Sequence, residues 1–150
     1  MSLSEGDAIE LSVTPDPYVT VRYAGASGDF NPIHIDEQFA QSVGLPGRIL
    51  HGLWTMAQVA RAVGETAGTP VVPADPTAEG SGDRAGAGEP RYALASLSVQ
   101  FRGMGQIGEE IAVSGTVTAV GDDGLASVGI EARQGDVRLV RNGQATVRRA

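Results

Sequence analysis

The stretch His51-Gly52-Leu53-Trp54-Thr55-Met56-Ala57-Gln58-Val59-Ala60-Arg61-Ala62-Val63-Gly64-Glu65 decides the fold. Leu53, Trp54, Met56, Ala57, Val59, Ala60, Ala62 and Val63 are apolar, and Thr55, Gln58, Arg61 and Glu65 form one narrow polar stripe. A helix that is apolar around most of its circumference is expected to be buried around most of it. Something must wrap it, and the chain that follows supplies strands.

After Pro90 the pattern has a period of two. Leu97, Val99 and Phe101 face one way, and Ser96, Ser98, Gln100 and Arg102 the other. Ile111, Val113, Val117 and Ala119 alternate with Ser114, Thr116 and Thr118. Gly121 to Gly124 is a turn, Leu125 to Arg133 a strand with Val128, Ile130 and Ala132 inward, and Val137 to Val147 the last strand. Asn142-Gly143 reads as a bulge in that strand rather than a hairpin.

Upstream, Asp7 to Val13 alternates as a short strand, ended by Pro15 and Pro17. Thr20 is placed to cap a short helix running toward Ser27, and Asp36 to cap another from Glu37 to Val43, stopped by Gly44. The segment from Gly68 to Pro90 is rich in Gly and Pro and poor in large apolar residues, so it is expected to be a flexible inserted loop. The chain as a whole, 1–150, is then one α+β domain, an antiparallel sheet wrapped around a long central helix, which is the hot-dog architecture.

Composition narrows the function. A hydrophobic content of 41% with 19% charged residues fits a globular protein rather than a disordered one. A net charge of -7 argues against general nucleic-acid binding. The absence of cysteine excludes disulfides, thiol nucleophiles and thiolate metal sites, and fits a cytoplasmic location. Neither a signal peptide nor a membrane span is evident. All eleven basic residues are Arg.

Chemistry concentrates just before the long helix, in Tyr23-Ala24-Gly25-Ala26-Ser27-Gly28-Asp29-Phe30-Asn31-Pro32-Ile33-His34-Ile35-Asp36 and Ile49-Leu50-His51-Gly52. Both histidines of the protein lie here. Gly28, Asn31 and Pro32 punctuate a loop and hold it in one shape. A rigid bend brings a carboxylate, Asp29, and an imidazole, His34, toward one point, as general acid/base work requires. Gly52, at a helix start without a side chain, offers a free backbone N–H to a developing oxyanion. His51 is expected to cap or pack at the helix start, and Tyr23 to pack beneath the loop. Two histidines with one carboxylate make a poor metal set, so no metal and no cofactor are expected. Arg102 is a candidate phosphate ligand. Arg133, Arg138, Arg141, Arg148 and Arg149 form a locally basic end on an acidic protein, either a solvated strand face or a surface for an anionic partner.

The quoted stretches resemble the signature of the MaoC-like, R-specific enoyl-thioester hydratases and dehydratases, and are most similar to the single-hot-dog dehydratase subunits of actinobacterial fatty-acid synthesis. The resemblance implies reversible addition of water across C2–C3 of an acyl-CoA or acyl-carrier-protein thioester. It assigns Asp29 and His34 as catalytic and the Gly52 N–H as the oxyanion donor. It implies a homodimer or a heterodimer with a related hot-dog subunit, and neither nucleic acid nor membrane as partner. The Gly68 to Pro90 loop is the main departure from the family, and two more stand out. Some family members carry Ser where this chain has Ala60, and the segment Arg102 to Glu109 lacks the family's Pro-rich element. A non-catalytic hot-dog partner subunit and a hot-dog thioesterase are the alternatives. The thioesterase normally needs a carboxylate on the long helix, where only Glu65 stands, at the far end from Gly52.

Overall fold

The computed structural model describes residues 2–68 and 92–149. Apart from Gly68, the expected flexible loop lies outside them. The elements in order are β1 (Ala8–Val13), α1 (Val19–Ser27), α2 (Pro32–Ile35), α3 (Glu37–Ser42), α4 (Gly52–Thr66), β2 (Tyr92–Phe101), β3 (Ile111–Val120), β4 (Leu125–Gln134) and β5 (Val137–Arg149). The five strands form one antiparallel sheet in the order β1-β3-β4-β5-β2. Helix α4 lies against its inner face, and the fold is a hot dog.

Strand alternation builds the core. Ile9, Ile111, Val113, Val117, Val128, Ala132, Leu139, Val140, Ala145 and Val147 are buried, and Val59, Ala62 and Val63 of α4 pack on them. Full burial of a valine or leucine contributes about 1.5–3 kcal/mol, so this face fixes the register of every strand.

Helix α4 corrects the expectation drawn from its polar stripe. Thr55 and Gln58 are buried, whereas Leu53 and Ala57 are exposed together with Arg61 and Glu65. At about 100° per residue, a stripe with three-residue spacing drifts around the helix. The drift carries Thr55 and Gln58 onto the side of Val59 and Ala62. The opposite side, although apolar at Leu53 and Ala57, is not covered by any of the described residues. Arg61 and Glu65 pair across one turn of it at 2.7 Å.

Bulges account for a second correction. The register of β2 against β5 shifts between Leu94 and Ser96 and again between Ser98 and Gln100. The extra residue of the second shift lies on β5, so Leu97, Val99 and Phe101 keep one face as expected; Leu97 and Val99 are half-buried, and Phe101, at the strand end over the start of α4, is 46% exposed. The shift between Val117 and Ala119 puts its extra residue on β3 and turns Ala119 outward. The expected bulge in β5 is present. Asn142 adopts φ 50°, and Arg141 and Asn142 together oppose Glu131 of β4.

Gly143 completes that bulge by lying against the Ile130 carbonyl. A Cβ there would overlap that oxygen and stand 2.8 Å from Ile130 Cγ2. The carbonyl belongs to the ladder and cannot retreat cheaply. Gly143→Ala is expected to destabilise the protein by about 2–3 kcal/mol, a typical overpacking cost. Urea unfolding measures this directly, and an unchanged midpoint would refute it.

Thr20 does not cap α1. It is buried inside the helix, and the N-terminal position is held by Tyr18 without a side-chain cap. Asp16 does the work instead, since its carboxylate accepts from the Tyr18 N–H and its carbonyl from the Val19 N–H. The hydrogen-bonded Arg22 guanidinium, aided by that Tyr18 N–H, holds the Asp16 carboxyl below its ordinary range. Asp36 caps α3 as expected, through Phe39 N–H at 2.9 Å.

Candidate active site

The loop between α1 and α2 is built by its own polar groups. Gly28 ends α1 in the left-handed region, at φ 77°, where a side chain would be strained. Ser27 Oγ donates to the Tyr23 carbonyl and accepts from the Asp29 N–H. Asp29 Oδ1 accepts from Asn31 N–H, and Asn31 Oδ1 from Ile33 N–H, each at 3.2 Å. Asn31 thereby caps α2, with Pro32 in its first turn. These contacts leave Asp29 Oδ2 without a hydrogen bond among the described residues.

Oδ2 faces both imidazoles, 3.8 Å from His34 Nε2 and 3.9 Å from His51 Nε2. The two rings stack with centroids 3.8 Å apart, and Tyr23 packs on His51 at 4.8 Å. The Asp29 side chain is half exposed, whereas His34 and His51 are buried.

The hydrogen bonds assign the protons. His34 Nδ1 lies 2.8 Å from the Ile49 carbonyl, which can only accept, so Nδ1 carries the proton. When His34 is neutral, Nε2 presents a lone pair toward Asp29. His51 Nε2 lies 3.1 Å from the Asp29 carbonyl oxygen and donates to it. Its Nδ1 is buried without a partner among the described residues. A lone pair at Nδ1 is cheaper to leave there than an unused N–H. His51 thus ties the Asp29 loop to the start of α4, and its ring makes no cap to the helix. That tie joins residues 22 positions apart, and no local pattern announces it.

Asp29, His34 and His51 each offer a ligand atom within 4.8 Å of the others. With His51 Nε2 protonated and engaged, two free donor atoms remain. Catalytic zinc sites use three protein ligands.

Gly52 follows His51 directly and is the first residue of α4. The His51 carbonyl accepts from Trp54 and Thr55, and first-turn N–H groups such as that of Gly52 have no intrahelical acceptor. The Phe101 ring covers this point. Its nearest atom lies 3.3 Å from where a Gly52 Cβ would stand. Ala60 is half-buried, farther along α4. Among the outlying arginines, Arg102 bonds Gln100, while Arg133 and Arg138 share Glu131, so that part of the basic end is partly neutralised.

The family model described as "MaoC like domain" matches residues 5–80, which include the whole Asp29–Gly52 site. The chain belongs to the MaoC-like domain family. Its solved neighbours have the same fold. The (R)-hydratase from A. caviae involved in PHA biosynthesis superposes with a TM-score of 0.75 at 23% identity, over 98% of this chain and 97% of that one. The ChsH1-ChsH2 complex from Mycobacterium tuberculosis gives 0.75 at 22% identity, over 98% of each chain. In sequence, the MaoC-like domain is 45% identical over 56 residues to the peroxisomal hydratase-dehydrogenase-epimerase of Saccharomyces cerevisiae, covering 37% of this chain and 6% of that protein. The chain spans from 2% to 12% of the length of the curated relatives it matches. MaoC-like proteins are hydratases and dehydratases in general.

Proposed function

We propose that the protein is an R-specific 3-hydroxyacyl-thioester dehydratase, acting equally as an enoyl-thioester hydratase. The observation that carries this reading is the pair of acceptors, Asp29 Oδ2 and His34 Nε2, facing each other at 3.8 Å. That gap is too long for a direct hydrogen bond. It fits a water donating one hydrogen to each, at about 2.8 Å. The water's lone pairs then point away from both bases, toward an enoyl C3 placed above them.

In the hydration direction the water oxygen bonds to C3 as one of its protons passes to the pair. The C2–C3 π electrons move onto the thioester oxygen, which the Gly52 N–H and the α4 dipole stabilise. The pair then returns the proton to C2 as the enolate collapses, so the enzyme ends as it began. Dehydration is the reverse. Gly28, Asn31 and Pro32 hold the loop, and no metal or cofactor takes part in the scheme.

The substrate is an acyl-CoA or acyl-carrier-protein thioester, and the protein acts as a homodimer or beside a related hot-dog chain. Leu53 and Phe101, both exposed near the α4 start, and the position of β2 at the edge of the sheet formed by the described residues support pairing. The thioesterase alternative loses ground because Glu65 is held by Arg61 at the opposite end of α4.

Purified protein is expected to hydrate crotonyl thioester, read as loss of the conjugated enoyl absorbance, alone or with a co-purified partner chain. A series of longer enoyl thioesters then sets the acyl preference. Release of free thiol without hydration would overturn the assignment in favour of a thioesterase.

A further inference from the structure

Gln134, the last residue of β4, has a buried side chain whose donors and acceptor are all spent on one loop. Its Oε1 accepts from Gln106 N–H at 2.7 Å, and its Nε2 donates to the carbonyls of Gln106 at 2.8 Å and Glu109 at 2.9 Å. The loop contains Gly103, Gly105 and Gly108 and makes little regular structure of its own. Glycines give such a segment much conformational freedom. The amide of Gln134 removes it.

What the loop holds in turn is the carbonyl that orients His34. Gln106 forms an isolated antiparallel bridge with Ile49, and Gly105 accepts from Leu50 N–H at 2.8 Å. The approach is close, because a Cβ on Gly105 would stand 2.9 Å from Leu50 Cδ1. On its other side, Ile49 N–H donates to the Ile33 carbonyl at 3.1 Å. Ile49 is therefore clasped between α2 and the loop, and its carbonyl takes the His34 Nδ1 proton. Release of the loop would free Ile49 to move, and Nδ1 would lose the acceptor that keeps it protonated and Nε2 bare.

We propose that Gln134 is a positioning residue for His34, acting through Gln106 and the Ile49 carbonyl. The catalytic part of this inference rests on the dehydratase reading. The structural part, that Gln134 selects the His34 tautomer, does not. Chains of buried hydrogen bonds with every member satisfied hold geometry in this way, and removing one member releases the rest.

The test is Gln134→Met, which keeps the volume and removes the amide. Gln134→Asn serves as the second variant, retaining the amide on a shorter stem, should the first fail to fold. Two readouts are used, steady-state hydration and the tautomer of His34 in histidine-15N-labelled protein, where only two imidazoles give signals. The expected result is a fall in kcat of about tenfold with KM within about twofold, since a misaligned base loses rate rather than binding. The His34 Nδ1–H signature of a single tautomer should become a mixture. An unchanged tautomer in a folded variant, with only the melting temperature lowered, overturns the proposal. If the native protein hydrates no enoyl thioester, the dehydratase reading fails on its own, and the tautomer measurement still decides the role of Gln134.

Discussion

Gly52→Pro is expected to leave the protein folded and to lower kcat by about 10²–10³ relative to Gly52→Ala, the range seen when one oxyanion donor is lost. Proline is well suited to this test. Gly52 is the first residue of α4, a position that proline tolerates because its N–H bonds to nothing within the helix. His51 already has φ −64° and ψ 133°, the extended conformation a residue before proline prefers. Both variants place a Cβ against the Phe101 ring, which is 46% exposed and able to yield. They differ at the nitrogen, where alanine keeps the N–H and proline puts its ring Cδ in its place, so the ratio of their rates reports loss of the donor together with the methylene that replaces it. Rates within a factor of about ten of each other would remove Gly52 from the mechanism, because an oxyanion donor normally carries more than that.

Asp29→Asn and His34→Ala are each expected to lower hydration by about 10²–10⁴, the range for a general acid/base group. The first is the cleaner of the two. Asparagine retains an oxygen for the Asn31 N–H, so the loop keeps its shape while Oδ2 loses its basicity. His34→Ala also removes the stack on His51 and the bond to Ile49, so thermal melting must accompany it. If the two groups hold one water, as proposed, they act as a unit and a double variant should be little worse than either single one. Activity within about tenfold of native in folded Asp29→Asn, when a general base is worth at least about a hundredfold, would sink the assignment. A two-chain complex that keeps full activity with both changes in this chain would instead favour a non-catalytic partner subunit.

The parts of the molecule legible in the sequence are those whose cause is local. Gly28, Asn31, Pro32 and Asp36 each act on their own neighbours, so the loop and the cap of α3 could be read directly, whereas the short helix α2 reads in the sequence as part of the loop. Alternation placed β3, β4 and much of β5. A bulge defeated it at the end of β3, because alternation carries no mark of an extra residue and Ala119 turned outward unannounced. Thr20 lost its capping role to Asp16, four residues earlier, whose carboxylate reached the helix start first. The long-range parts of the site were silent. The Ile49 carbonyl joins His34 across 15 residues, His51 joins Asp29 across 22, and Gln134 joins Gln106 across 28. Each uses a common side chain or a bare carbonyl, which has no signature until the fold brings its partner near.

The strand order has a consequence for synthesis. Strand β2 follows the long helix in the chain, yet among the described residues its only partner in the sheet is β5. As the chain leaves the ribosome, α4 and β2 emerge before the surface that will shelter them. The hairpin of β3 and β4 can form early and accept β1, which leaves Val59, Ala62 and Val63 partly open to water until β5 arrives. Closure then demands pairing between distant segments, a slow step during which apolar faces and strand edges are exposed. A ribosome stalled before Val137 would hold a chain with its Asp29 loop already made and its sheet unsealed, a natural client for chaperones.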